Sequence, residues 1–368
     1  MKKILFILHV PPPVHGSSIV GKFIKENKRI NSEFATSYVN LGTSNSIDEI
    51  GKGGFRKILL YTKILISILK QLIFNRPDLV YLAITAKGIA FYKDFIVVFL
   101  IKLFRVNLVL HFHNKGVSNY QHKFIDHLLY KLTFKNTSVI LLSEHLYYDV
   151  KKYVEPENVY YCPNGIPNMK VFHHTPKDEQ NFEVIHLLFL SNLIKSKGVF
   201  TVLEACKLLK AKGLKFDCTF IGGEGDIDKS NFNKELIRLG IEDIVKYEGK
   251  KYGEEKEQAF SKADIFVFPT FYHNECFPLV LLEAMQYSLP IISTFEGGIP
   301  SIVLDNENGY LVNKNDINSL IVNLSKLILN STIRLEFGKK GRELYEEKYT
   351  LKIFEDNLTE ILKKNLSF

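Results

Sequence analysis

Two acids, Glu275 and Glu283, stand eight positions apart in HNECFPLVLLEAM (273–285), and the run around them is nearly uncharged. Between them Pro278 suits the first residue of a helix, because its fixed φ fits a first turn and its missing N–H would have no intrahelical acceptor anyway. Glu275 then lies in the loop ahead of the helix, and Glu283 lies five residues into it. A helix start presents free backbone N–H groups and a positive dipole end, which together suit a phosphate. Two carboxylates flanking such a site can accept hydrogen bonds from hydroxyls on either side of a diphosphate. Ribose, diphosphate and hexose in series have that layout, which is the layout of a nucleotide sugar. A capping acid followed by a surface glutamate fits the same spacing, so the surrounding residues must decide.

The elements that would position these acids are legible in the apolar runs. KILFILHV (3–10), DLVYLAI (78–84), VNLVLHF (106–112), SVILLS (138–143) and NVYYC (158–162) occupy the first half of the chain. HLLFLS (186–191), DCTFIGG (217–223), IVKYEG (244–249), DIFVFP (264–269) and PIISTF (290–295) occupy the second. Short buried strands alternating with helix-length segments read as βαβ units and parallel sheets. HHTPKDEQNFEV (173–184), polar and proline-containing, reads as an interdomain linker. The expected class is α/β, with two doubly wound Rossmann-like domains facing a central cleft. The first spans 1–172, rejoined by a C-terminal helix within 351–368, and the second spans 173–350. Ligands of such sheets bind at the carboxyl ends of the strands, so the loops after each run matter most.

Composition sets the wider bounds. The 368 residues are long enough for two cores, and 46% hydrophobic with 24% charged is ordinary for a folded globular chain. Cys162, Cys206, Cys218 and Cys276 form no CxxC pair, which points to a reduced, cytoplasmic protein without a disulfide frame. MKKILFILHVPPPVHG reads as a first strand and its turn, not as a signal peptide, since its short apolar stretch contains His9 and runs into prolines. The net charge of +8 is uneven: residues 1–175 hold 23 Lys+Arg against 11 Asp+Glu, a net +12, and the remainder is −4. A basic first half suits an anionic partner, for which nucleic acid and an anionic membrane surface both qualify. The helical segment FRKILLYTKILISILKQLIF sharpens the question. Arg56, Lys63, Ser67 and Lys70 share one face and apolar residues fill nearly everything else. A core helix with a solvated basic stripe is the reading slightly favoured, and a helix lying on anionic lipid is the alternative.

The stretch FPTFYHNECFPLVLLEAMQYSLPIISTFEGGIPSIVLDNENGYLV (268–312) closely resembles the donor-binding core of retaining glycosyltransferases of family four, which have the two-Rossmann GT-B fold and a Glu-x7-Glu signature. The resemblance extends to NLIKSKG (192–198), FIGGEGD (220–226), CPNGIP (162–167) and, more loosely, the turn PPPVHGSS (11–18). It implies that Glu283 holds the ribose hydroxyls and Glu275 the donor sugar near its reacting carbon. Lys197 would offset the diphosphate charge as the leaving group departs. Gly16 and Ser17 would close over the diphosphate, the loop GKKY (249–252) with Lys251 would contact the base, and His113 would face the reacting sugar from the acceptor side. Packing or capping is an equally good account of that histidine.

Departures from the family pattern bear on the donor. Asn192 stands where an arginine is common, so donor charge rests on Lys197 with Lys195 nearby. Pro278 replaces a glycine and removes one amide, leaving those of Phe277 and Leu279 to meet the phosphate. Ser301 stands where an acid is usual, and His15-Gly16 where a glycine pair is usual. Other signals are weaker. The Asp-x-Asp of DID (226–228) reads as a solvated loop, GGEG (222–225) is too short for a dinucleotide fingerprint, and HFH (111–113) lacks a third metal ligand.

The expectation is a retaining, metal-independent glycosyltransferase without cofactor. It would use a nucleotide-diphosphate sugar, UDP favoured, and an acceptor hydroxyl on a lipid-linked glycan of bacterial surface polysaccharide synthesis. Its expected place is the cytoplasm, peripheral on the inner face of the cell membrane. A nucleotide-sugar 2-epimerase on the same architecture and a nucleic-acid-binding protein are the alternatives. The second lacks the aromatic-basic interleaving such proteins show.

Overall fold

A computed structural model describes residues 1–43, 54–169 and 184–366, so the expected linker 173–184 lies outside the described residues except for Val184. The chain divides into two compact units, Met1–Gly165 with Leu351–Phe368, and Ile166–Thr350. The boundary therefore falls at Gly165/Ile166 and not at 172/173. Hydrogen bonds explain the shift. Ile166 donates its N–H to Tyr349 O at 3.0 Å, and its own carbonyl accepts from the Tyr345 hydroxyl at 3.0 Å. Gln286 then clamps the next residues, donating to Pro167 O and accepting from the Met169 N–H, each at 2.9 Å.

Unit 1 is a six-stranded parallel sheet of β1 (Lys3–Leu8), β2 (Ala35–Asn40), β3 (Leu79–Ile84), β4 (Asn107–Phe112), β5 (Ser138–Leu141) and β6 (Val159–Tyr161), in the order β2-β1-β3-β4-β5-β6. Unit 2 repeats the plan with β7 (Ile185–Leu190), β8 (Phe216–Ile221), β9 (Val245–Tyr247), β10 (Ile265–Val267), β11 (Ile291–Thr294) and β12 (Gly309–Val312), in the order β12-β11-β10-β7-β8-β9. Each central strand is buried on both faces, as β3 is at every residue, which is why its sequence reads as a continuous apolar run. Both sheets reverse direction once. The switch lies between β1 and β3 in unit 1 and between β7 and β10 in unit 2. At such points the loops leaving neighbouring strands diverge and open a crevice.

The C-terminal helix Leu351–Leu366 belongs to unit 1 and buries Phe354, Leu358 and Leu362. Arg29 pairs with Asp356 at 2.5 Å and Glu360 at 2.8 Å, and Lys363 pairs with Glu33 at 2.6 Å. These exposed pairs orient the helix; its buried apolar side supplies most of the stability. Helix Phe55–Phe74 is not the core helix favoured from sequence: only Ile68 and Leu72 of its twenty residues are buried. Its sequence is apolar on more sides than the sheet can cover.

Candidate functional site

In unit 2 the loops leaving β7, β8 and β9 are zipped together before any ligand arrives. Leu193 donates its N–H to Gly223 O at 2.7 Å, Ile227 donates to Leu193 O at 3.1 Å, and Gly222 donates to Gly249 O at 2.8 Å. Gly222 sits at φ 150°, and a Cβ there would lie 1.9 Å from Ser191 O, so only glycine lets the two loops meet. The Asn192 side-chain oxygen accepts the Gly223 N–H at 3.0 Å. The residue standing in for an arginine is thus built into the loop scaffold. Asp226 accepts from Lys195 N–H at 2.8 Å, and Asp228 caps helix Lys229–Leu239 through Asn231 N–H at 2.7 Å. Both acids of DID therefore shape turns.

The crevice between β7 and β10 holds the charged centre. Lys197 closes a short turn after β7, and Glu275 ends the loop after β10. Their side chains form an ion pair with only 14% and 11% of each exposed. The Lys197 ammonium also lies 4.6 Å from the centre of the Tyr272 ring and 5.3 Å from that of Phe268, where the ring faces favour a cation. Glu275 in turn donates its N–H to Tyr272 O at 2.7 Å. Gly198, at φ 90°, is what allows this approach, since a Cβ there would lie 2.5 Å from Pro269 O. Behind the acid, Gly298 donates to Cys276 O at 2.7 Å and pins a second loop against it.

The helix read from the sequence is present as Leu279–Gln286. Pro278 is its N-cap, with ψ 117°, and not its first helical residue; Leu281 reaches back to Pro278 O at 3.2 Å in a tight first turn. Proline has no side-chain acceptor, and no side chain caps this helix end. The amides of Leu279 and Val280 open the helix, and first-turn amides have no intrahelical acceptor. Phe277 is buried against the Tyr349 ring, 5.8 Å between centres. Glu283 pairs with Lys256 at 2.7 Å, both largely sheltered. Lys256 comes from helix Gly253–Lys262, one turn after the loop holding Lys251, and Lys251 itself pairs with Glu248. Sequence reasoning missed Lys256 and Tyr272. Nothing in GEEKEQAFSK marks one lysine as special, and the partner of Glu283 is supplied by the preceding βα unit.

Unit 1 collects a different group at its own switch point. Gly16 is exposed with open space beside it, and Ser17 follows it in the first turn of helix Gly16–Glu26. His15 caps that helix through Nδ1, which accepts from Ser18 N–H at 3.3 Å, while Ser18 Oγ accepts the His15 N–H at 2.9 Å. His113, directly after β4, stacks near His111 with 4.2 Å between ring centres, and the rings of His9 and His15 lie 5.9 Å apart. Burial, reinforced by His9 and His15, pushes the His113 pKa down to about 3. Burial, then His15 and Lys93, pushes that of His9 down to about 4. The buried His113 Nδ1 and His111 Nε2 have no protein partner, whereas His111 Nδ1 meets the Tyr81 hydroxyl at 2.6 Å. His113 is thus a neutral imidazole with an unmet ring nitrogen.

Residues 174–344 match the family described as glycosyl transferases group 1. The chain is similar to the amylovoran biosynthesis glycosyltransferase AmsK of Erwinia amylovora, 30% identical over 184 residues, covering 49% of this chain and 45% of that protein. It is also similar to the capsular polysaccharide biosynthesis glycosyltransferase CapM of Staphylococcus aureus, 27% identical over 173 residues, covering 46% of this chain and 43% of that one. The chain thus spans less than half the length of these curated relatives. Among solved structures, sucrose-phosphate synthase from Thermosynechococcus elongatus superposes with a TM-score of 0.76 at 17% identity over 100% of both chains. Anabaena HepE, solved in complex with UDP, gives 0.76 at 16% identity, covering 99% of this chain and 100% of that one. The fold is GT-B, with two Rossmann-like domains, and the family match over residues 174–344 together with the curated relatives supports a glycosyltransferase.

Proposed function

We propose that the chain is a retaining glycosyltransferase of family four, carrying the Glu-x7-Glu signature in Glu275 and Glu283, and that it uses a nucleotide-diphosphate sugar. The observation that carries this reading is one arrangement: Glu275, in a sheltered pair with Lys197, precedes the uncapped amide end of helix Leu279–Gln286, and Glu283, paired with Lys256, lies just over one turn into that helix. A diphosphate at that end would meet the amides of Leu279 and Val280 and the Lys197 ammonium. Each carboxylate keeps lone pairs beyond those its lysine uses, so Glu283 can accept from ribose hydroxyls and Glu275 from the donor sugar. Lys251 would lie by the base. As the glycosidic bond breaks, negative charge grows on the departing phosphate, and Lys197 would be the cation that stabilises it. The acceptor would attack from the face the phosphate leaves, giving its proton to the leaving phosphate. The roles of Gly16 and Ser17 on the diphosphate and of His113 near the sugar belong to the same proposal. A neutral His113 suits hydrogen bonding better than charge stabilisation.

UDP is the preferred donor nucleotide, supported by the UDP and UDP-glucose complexes of HepE. A place in bacterial surface polysaccharide synthesis is supported by the names of AmsK and CapM, and a lipid-linked acceptor by the basic first half of the chain. The reading includes no cofactor or metal and a cytoplasmic, membrane-peripheral site of action. A thermal-shift screen of UDP-, GDP- and ADP-sugars tests it. One donor should raise the melting temperature of the wild type and leave Glu283→Ala unmoved. No shift with any donor, or an equal shift in both proteins, would contradict it.

A further inference from the structure

Unit 1 carries a surface its own core does not require. The connections β2→β3, β3→β4 and β4→β5 all advance the same way across the sheet. Right-handed crossovers therefore place helices Phe55–Phe74, Gly88–Leu103 and Phe124–Phe134 on one face. The middle helix touches both neighbours: Tyr61 donates its hydroxyl to Lys93 O at 2.5 Å, and Tyr92 donates to Asp126 Oδ1 at 3.1 Å. Val97, Val98 and Ile101 bury its inner side.

The outward sides are apolar too. On the middle helix Ile89, Tyr92, Ile96, Phe99 and Leu103 recur at three- and four-residue steps and are all exposed, Ile89 at 78%. Phe55, Leu59, Ile66 and Ile73 form a stripe on one flank, and Phe124, at 83%, begins another with Ile125 and Leu128. A folded domain rarely leaves so large a set of apolar side chains in water without a use for them. The charges are one-sided. The three helices contain two carboxylates, Asp94 and Asp126, and both are buried, accepting from Thr85 N–H and the Tyr92 hydroxyl. The exposed charges around the stripes are cationic, Arg56, Lys63, Lys70, Lys123 and Lys131 among them. A second copy of the same face would set these cations against one another with no carboxylate between. An anionic lipid surface meets both features: its headgroups pair with the lysines and arginines, and its acyl boundary takes the apolar stripes.

We propose that this three-helix face lies on an anionic bilayer and is the surface by which the protein docks to membranes. The helices lie along the surface and do not cross it, because their inner sides pack on the sheet. The inference rests on the membrane-peripheral part of the proposed function, for which it names the docking surface, and is independent of the donor reading. Flotation of the full chain with vesicles tests it. Phosphatidylglycerol-containing vesicles should capture at least about tenfold more protein than pure phosphatidylcholine at low salt, and raised salt should reduce that capture. The variant I96E/F99E, altered at two exposed positions, should fall to the phosphatidylcholine level while keeping the wild-type melting temperature and donor-induced thermal shift. K63E/K70E should bind anionic vesicles several-fold less. Equal capture by both vesicle types, or none, would overturn the proposal. So would a wild-type dimer in solution that I96E/F99E dissolves, since a second copy would then own the face.

Discussion

At the residue scale, the proposed function assigns chemistry to one lysine–glutamate pair and binding to the other. Lys197 and Glu275 are sheltered at the switch point, so removing either charge alone strands the other where water screens it poorly. Lys197→Met should lower kcat about 10²–10³-fold, the usual cost of losing a group aimed at developing charge. The same substitution should lower the melting temperature. Adding Glu275→Gln should recover the melting temperature without recovering turnover, and that split distinguishes a catalytic pair from a structural one. In the proposed function Lys256 acts through Glu283, with which it pairs, and not on the reacting atoms. Lys256→Ala should weaken UDP binding about tenfold in calorimetry, the scale of one charged hydrogen bond, with a smaller effect on kcat. Both acids were legible from their spacing around Pro278. Lys197 came from the family resemblance, but its pairing with Glu275 did not, and Lys256 was missed: the partners lie 78 and 27 residues apart, and only the sheet brings them together.

Among the elements, the turns leaving strand ends carry the precision. Gly198 holds φ 90° with Pro269 O in the space a Cβ would need, and it also caps helix Val199–Ala211. Gly198→Ala should cost about 1–3 kcal/mol, read as a lower melting temperature, and should also displace Lys197 and depress turnover. Gly213→Ala, at a φ of 73° with open space around it, should show strain without loss of activity. Ten of the twelve strands were legible as apolar runs, and most of these are buried on both faces, where a run has few alternatives. The two missed, β2 and β12, lie at sheet edges. β2 (ATSYVN) is largely polar and buries fully only Val39, while β12 opens on Gly309, whose missing side chain lets it approach Ile291 O. Helix Phe55–Phe74 misled in the opposite sense. Its apolar residues suggested a core, yet only Ile68 and Leu72 are buried, and composition alone does not say which neighbour will cover a face.

For the whole molecule, the charge division seen in the sequence follows the fold into the two units, basic in the first and mildly acidic in the second. The histidines of unit 1 give its stability a pH dependence. His9 and His113 have folded pKa values of about 4 and about 3, below the ordinary 6.5, so the unfolded chain binds more protons between those values. Their contribution is complete above about pH 6.5 and is lost as pH falls toward 4 and 3. Buried Asp94 opposes this: its pKa is raised from 3.8 to about 6, so its contribution is present below 3.8 and is lost as pH rises through 6. Thermal unfolding followed from pH 7 to 4.5 should show a net fall in melting temperature, and His9→Asn should make the slope shallower. A slope unchanged by that substitution would remove His9 from the account.

The central claim is that a diphosphate rests at the open end of helix Leu279–Gln286, with a carboxylate on each side. The most direct measurement is a crystal structure of the protein soaked with the donor chosen by thermal shift. Phosphate oxygens should lie within hydrogen-bond distance, about 2.7–3.2 Å, of the Leu279 or Val280 amide and of Lys197 Nζ, with a ribose hydroxyl on Glu283. A nucleotide bound elsewhere, or one at that helix with neither Glu275 nor Glu283 on a hydroxyl, would contradict it.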